Sequence, residues 1–258
     1  MAEEESERPH AVDIYERVCE DSQEELERLQ SSIVFSGLFA GFAIGLAPLA
    51  AALATVSLGS DVKSTALIAA LLYPIGYVAV IIGRAQFFTE NTLYPVMLSL
   101  RHSEFIGATA RLWGIVYSTN LLGAFLFAAL VVLTGALADD AQLELVKTGV
   151  DYASDGFSGI FFSAVITGFL LALVAWLVEG SDTVTARIAV IWGLTFLVAL
   201  GSFDHCIAST LTTFAALLEG ELGLGKLLAW LAPATLGNIA GGVLIVTSIN
   251  YGQVRGDD

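Results

Sequence analysis

The sequence predicts an all-α membrane protein with six spans, two of them broken by polar residues at mid-membrane. Three observations lead there. Of the 258 residues, 56% are hydrophobic and only 14% charged, against roughly 25% charged in a soluble domain. The apolar residues fall in long runs, at about 32–57, 64–83, 106–134, 158–180, 185–201 and 226–249, each reaching or approaching the ~20 residues that cross hydrocarbon. Two further apolar pieces, at about 92–100 and 207–218, are too short to span alone, and each directly follows a polar stretch.

The first thirty residues are acidic, with eleven acids against three arginines. They hold no short apolar region near a basic start, so no cleavable leader is expected and the first long run inserts by itself. Val12, Tyr15, Val18, Cys19, Leu26 and Leu29 recur three or four apart, which predicts an amphipathic helix beginning near Pro9 and lying under the membrane domain. A gating role for it is the second reading. The formal net charge of −15 argues against nucleic acid as a partner, because phosphate binding needs clustered Lys and Arg. An acidic surface with few lysines suits a salty cytosol and points to a halophilic source. Cys19 and Cys206 sit in different settings, so neither a disulfide nor a metal motif is expected.

Basic residues near the span ends set the orientation. With the N-terminus inside, the inner segments hold Arg8, Arg17, Arg28, Arg101, Arg111, Arg187 and Arg255, while the outer loops hold Lys63, Lys147 and Lys226. Both termini are therefore predicted in the cytoplasm of a multi-pass cell-membrane protein. The acidic stretch 139–155 then lies outside, as an amphipathic linker with Leu143, Val146 and Val150 on one face.

The two halves of the chain resemble each other. Asn120-Leu-Leu-Gly123 answers Asn238-Ile-Ala-Gly241 at a distance of 118 residues, Trp113 answers Trp230 at 117, and Glu90 answers His205 at 115. Three spans per half require the halves to insert in opposite senses, an inverted repeat of the kind transport proteins use. Gly123, Gly237, Gly241 and Gly242 allow close helix packing.

The first break runs from Gly83 to Thr92 and the second from Gly201 to Ser209. Backbone groups freed there must be buried in protein or line an aqueous cavity. The N-termini of the short half-helices bring partial positive charge to the midplane, which suits an anion. His205 is the one histidine inside the membrane, and an intramembrane ionisable group is a candidate functional residue. The plainer alternative is a neutral histidine bonded to the broken backbone. Glu90 and Asp204 are either pore groups or caps of the half-helices, with capping favoured for Glu90. Arg84 is expected to neutralise one of them. Phe87 and Phe88 form either a constriction or ordinary packing.

These breaks resemble those of the formate/nitrite transporter family. There an Ω-shaped loop reading close to Leu-Phe-Thr-Gly-Asn interrupts the second span, and Phe87-Phe88-Thr89-Glu90-Asn91 stands in its place. The fifth-span pattern Gly-Phe-Glu-His-x-x-Ala-Asn is met by Ser202-Phe203-Asp204-His205-Cys206-Ile207-Ala208-Ser209. Pro-x-Thr-x-Gly-Asn-x-x-Gly-Gly is present in full from Pro233 to Gly242, and the third-span motif as Thr119-Asn120-Leu-Leu-Gly123. The resemblance covers nearly all of residues 30–250. It implies an aquaporin-like fold, an inverted 3+3 repeat with broken second and fifth helices, and a homopentamer with one pore per protomer. It implies passage of small monovalent anions of weak acids such as formate, nitrite, hydrosulfide or an acetate-like acid, with proton coupling through the histidine as an added possibility. His205 and Thr89 are then the central pair, Phe88 belongs to the Ω-loop gate, Phe87 and Asn91 flank it, and Asn120 and Asn238 are supports. On this reading residues 1–30 form the cytoplasmic N-terminal segment, 31–250 the transport domain and 251–258 a short cytoplasmic tail.

Two departures stand out. Gly168 occupies the fourth-span position where the family usually has an Asn that supports the histidine, and Glu90 replaces the Ω-loop glycine. No catalytic residue, metal site or cofactor is expected. A channel for a small neutral solute is the main rival, set back by the absence of aquaporin-like Asn-Pro-Ala pairs. A membrane enzyme lacks Gly-x-Ser-x-Gly and His-Glu-x-x-His. A non-transporting scaffold or sensor is the last alternative.

Overall fold

A computed structural model describes residues 9–59 and 63–255. Arg8, the acids before it and residues 256–258 lie outside the described residues, as do the side chains of Lys63 and Arg255. Among the described residues every regular element is helical. Five helices are long and apolar enough to cross a membrane: Gln30–Leu58, Ser64–Ile82, Ser103–Leu133, Phe157–Glu179 and Leu224–Val254. The predicted fifth span is the shorter Val184–Leu200, of 17 residues, because the second break takes over at Gly201.

The N-terminal helix α1, Ala11–Glu27, starts where His10 N–H donates to Asp13 Oδ2 at 2.7 Å. It buries Tyr15, Val18, Cys19, Ser22 and Leu26. Leu29 does not join this stripe and is 75% exposed, because α1 ends at Arg28 and Leu29 turns the chain into the first span. That span is α2, Gln30–Ile44, and α3, Leu46–Leu58, joined at Gly45. The second span pairs α4, Lys63–Leu72, with α5, Pro74–Ile82, and Pro74 sets the joint. After the first break, with one 3₁₀ turn at Glu90–Thr92, comes the half-helix α6, Tyr94–Arg101. The third span α7, Ile106–Leu133, is unbroken.

Helix α8, Asp139–Tyr152, is the predicted linker, with a different inner face. It buries Ala141, Leu145, Val146 and Gly149 and leaves Leu143 67% exposed. It packs on α3 and on the later half-helix α11, Thr210–Leu218. Between them run α9, Phe157–Glu179, and α10, Val184–Leu200. The sixth span is α12, Leu224–Ile239, then a π-helical stretch, Ala240–Thr247, then α13, Ser248–Arg255. The wider π turn lays Gly242 against Thr92, and Thr247 Oγ1 donates to Thr92 O at 2.9 Å. Helices α1 and α13 pack together, with the Tyr15 and Tyr251 rings 6.2 Å apart, so both ends lie on one face. Six crossings require this.

The inverted repeat is explicit in the backbone. Both breaks begin with a Schellman closure. Ala85 N–H donates to Val80 O and Phe203 N–H to Val198 O, and Arg84 and Ser202 take the left-handed position at φ 51° and 50°. Gly41 sits on the backbone of Asn120 as Gly168 sits on that of Asn238. These equivalences correct one landmark. At the 118-residue offset the partner of His205 is Phe87, and Glu90 answers Ala208.

Two stability predictions follow from the geometry. A Cβ on Gly168 lies 2.1 Å from Asn238 O, a backbone atom that has no room to yield. Gly168→Ala is expected to destabilise by about 1–3 kcal/mol, read as a lower midpoint in thermal unfolding of the detergent-solubilised protein. Ser202→Gly removes the left-handed penalty at an exposed position and should raise that midpoint, by about 1 kcal/mol of stability.

Candidate functional site

The site is where the two breaks meet. Each break is held by an asparagine from the neighbouring unbroken span. Asn120 Oδ1 accepts from Phe88 N–H at 2.9 Å, and its Nδ2 donates to Gly37 O at 2.8 Å and Gln86 O at 2.9 Å. Asn238 Oδ1 accepts from Cys206 N–H at 2.9 Å, and its Nδ2 donates to Ala164 O at 2.8 Å and Asp204 O at 3.2 Å. Serines repeat the pattern: Gln86 N–H donates to Ser36 Oγ at 3.0 Å and Asp204 N–H to Ser163 Oγ at 2.9 Å. The tryptophans of the repeat also brace the breaks. Trp113 Nε1–H donates to Asn91 O at 2.8 Å, and Trp230 Nε1–H to Asp204 Oδ1 at 2.7 Å.

His205 lies at the centre and is fully buried. Its Nδ1 accepts from Ile207 N–H at 3.0 Å and Ala208 N–H at 2.9 Å. Two donors on Nδ1 place the ring proton on Nε2. Nε2 lies 3.2 Å from Thr89 Oγ1 across the junction of the two breaks. The Phe87 ring stacks on the imidazole at 5.4 Å and 8°, and Tyr77 meets it edge-on at 5.8 Å. The pseudo-symmetric pair Phe87 and His205 are thus stacked face to face.

These contacts alter the expected use of the half-helix donors. The N–H groups of Phe88, Cys206, Ile207 and Ala208 are already taken by side chains of this chain. The N–H groups of Thr89 and Glu90 have no protein acceptor among the described residues. Two buried hydroxyls, Tyr77 and Thr167, also lack a partner there.

On the α1 side of Phe87 lies a cavity of about 150 Å³. Gln86, Phe87, Glu90 and Asn91 line it from the first break, and Asp21 and Glu25 of α1 close over it. Phe87 separates this cavity from His205. Phe88 instead turns toward α7, packing on Tyr117 at 4.8 Å and Trp113 at 5.7 Å. The side chain of Asn91 donates to Gln86 Oε1 at 3.1 Å, tying the loop to itself.

The formate/nitrite transporter model matches residues 12–252. The chain belongs to the formate/nitrite transporter family. It is 31% identical to the inner membrane protein YfdC of Escherichia coli over 96% of this chain and 80% of that protein. It is 24% identical to the formate channel FocA of Haemophilus influenzae over 82% of each. Among solved structures it resembles a pentameric formate channel with formate bound, at a TM-score of 0.77 and 21% identity, over 88% of this chain and 97% of that one. That likeness carries the aquaporin-like fold. The family is one of transporters and channels, not enzymes.

Two expectations about charges are corrected. Arg84 neutralises neither Glu90 nor Asp204. Its guanidinium turns outward to Asp21 of α1 at 3.0 Å, because the left-handed backbone at Arg84 directs the side chain off the break. Glu90 caps nothing: its carboxyl makes no hydrogen bond among the described residues, although only 9% of the residue is exposed. Asp204 Oδ1 instead accepts from Trp230 Nε1–H.

The Asn that the resemblance places at Gly168 has no room, since α9 and α12 touch backbone to backbone there. The histidine is supported instead by its own loop amides and by Phe87 and Tyr77. Sequence reasoning missed Tyr94 and Glu179, whose side chains bond at 2.9 Å beside the cavity. An acid in the last turn of the fourth span was the available signal for Glu179. Tyr77 carried none.

Asn238→Ala leaves Cys206 N–H without its acceptor and two carbonyls without their donor. Each buried group so orphaned costs about 1–3 kcal/mol. The variant is expected to lose several degrees in thermal unfolding, and Asn120→Ala to behave alike.

Proposed function

We propose that this chain is a channel for small monovalent anions of weak acids, of the formate, nitrite, hydrosulfide or acetate-like class, with one pore in each subunit of a homopentamer. The observation that carries the reading is the buried contact of Thr89 Oγ1 with His205 Nε2 at 3.2 Å, where the two breaks meet. It offers a hydroxyl and an imidazole N–H to one small acceptor, beside the free N–H groups of Thr89 and Glu90. Donors without fixed cations bind an anion weakly enough to release it. Relatives described as formate channels support the substrate class.

Assembly and orientation are part of the same proposal. Phe35, Phe39, Leu126, Leu130 and Leu244 face outward, which suits lipid and neighbouring subunits. The solved relative described as a pentameric formate channel supports the number five. The α1 face carries Arg17, Arg28, Arg84 and Arg101, which supports a cytoplasmic position for both termini.

In this reading His205 acts first as a hydrogen-bond donor. A proton given up from Nε2 must be replaced at Nε2, because backbone amides hold Nδ1. Proton coupling through His205 therefore requires the permeant site itself to reload the ring.

Flux of formate, nitrite, acetate and hydrosulfide into proteoliposomes tests the proposal. At least one is expected to move, and His205→Ala to change its flux at least tenfold. Transport of none of them sinks the reading. Osmotic swelling with a neutral solute, without charge or proton movement, would replace it.

A further inference from the structure

The mechanism above leaves the buried carboxyl of Glu90 unused. Glu90 stands in the wall of the cavity on the α1 side of Phe87, nine-tenths buried, and its carboxyl has no hydrogen-bond partner. Every charged group facing it is already engaged. From its own break, Arg84 is paired with Asp21 at 3.0 Å. From α9, Glu179 accepts from Tyr94 Oη at 2.9 Å. From α1, Glu25 is paired with Arg28 at 2.7 Å. From α10, Arg187 Nε donates to Ser181 O at 3.0 Å.

Between this cavity, whose wall holds Glu90, and His205 stands the ring of Phe87, which lines the cavity and stacks on the imidazole. A carboxylate at that point repels an anion in a wall where four acids outnumber two arginines. A carboxylic acid there attracts the same anion, because its O–H is a donor. The inverted repeat sharpens the point. The position that answers Glu90 in the second break is Ala208, so the group belongs to one entrance only and is not demanded by the loop's fold.

We infer that Glu90 is the proton donor of the α1-side entrance, and that the weak-acid anion crosses the Phe87 constriction as the neutral acid. In the step, the O–H bond of Glu90 breaks as an O–H bond to the anion's oxygen forms. Glu90 is left as the carboxylate and takes its next proton from hydronium in the cavity. The exchange is reversible, so an acid arriving from the His205 side returns its proton to Glu90. Charge is conserved throughout, and one proton accompanies each anion. The inference rests on the anion-channel reading and adds to it the species that crosses.

The test is formate flux into proteoliposomes holding a pH dye, with the membrane potential set by potassium and valinomycin. Wild-type protein is expected to move about one proton per formate, with flux independent of the potential and rising as pH falls. Glu90→Gln keeps the shape and loses the proton, and Glu90→Gly removes the side chain, so one readable variant remains if the other fails to assemble. Either is expected to lose formate flux at least tenfold at pH 6, or to carry it as a potential-driven anion current with no proton. Glu90→Asp is expected to retain coupling. Full coupling and an unchanged pH profile in the Gln or Gly variant overturn the inference. Potential-driven flux without protons in the wild type also overturns it and leaves the channel reading standing. No formate, nitrite, acetate or hydrosulfide flux in the wild type removes that reading instead.

Discussion

The structure depends on how broken backbone is satisfied inside a membrane. Hydrocarbon offers no hydrogen bonds, so every amide and carbonyl freed by the two breaks needs a partner from protein or a place on an aqueous cavity. Asn120 and Asn238 supply that partner with one side chain each, the oxygen taking an N–H and the nitrogen serving two carbonyls. A carboxamide is the right group because it accepts and donates without carrying charge. The reach of that side chain also dictates the packing around it. Each asparagine bonds a carbonyl on a third helix, Gly37 O on α2 or Ala164 O on α9. The helices must then touch backbone to backbone, which explains the glycines at Gly41 and Gly168.

Much of this was legible in the sequence. Apolar runs gave the spans because lipid demands length and continuity, and the Asn-x-x-Gly pairs gave the repeat because their geometry admits few substitutes. The misread features share a cause, in that they depend on the direction of a side chain and not on its position. Arg84 lies one residue into a break that contains Glu90, yet its left-handed backbone turns it toward Asp21 on a distant helix. Leu143 shares a nominal helical face with Val146, but the groove between α3 and α11 admits the stripe of Ala141, Leu145 and Gly149. The alignment of Glu90 with His205 paired two polar residues by chemistry, whereas the hydrogen bonds at Phe88 and Cys206 pair Phe87 with His205 by place.

That pairing bears on what two inverted halves can do. A perfect repeat would put the same residue on both sides of the axis. Here the axis position holds a phenylalanine from one half and a histidine from the other, stacked at 5.4 Å. One half supplies an apolar wall and the other a donor. Thr89 completes the donor from the half that lacks the histidine. The site is therefore a product of both halves, and neither motif read alone describes it.

The charges around the α1-side cavity complete the argument. Four acids and two arginines line it, and the arginines are held by Asp21 and by Ser181 O. Fixed positive charge is thus not what brings an anion to this pore. What remains are neutral donors, namely the N–H groups of Thr89 and Glu90, the Thr89 hydroxyl and His205 Nε2–H. Neutral donors discriminate weakly between an anion and its conjugate acid, unlike a lysine or arginine. A pore built this way is selective for small size and hydrogen-bonding oxygen, and the charge of the species that crosses is decided at the entrance. Helix α1 sets that entrance, because Asp21 pairs with Arg84 and leaves the Glu90 carboxyl in the cavity wall without that partner.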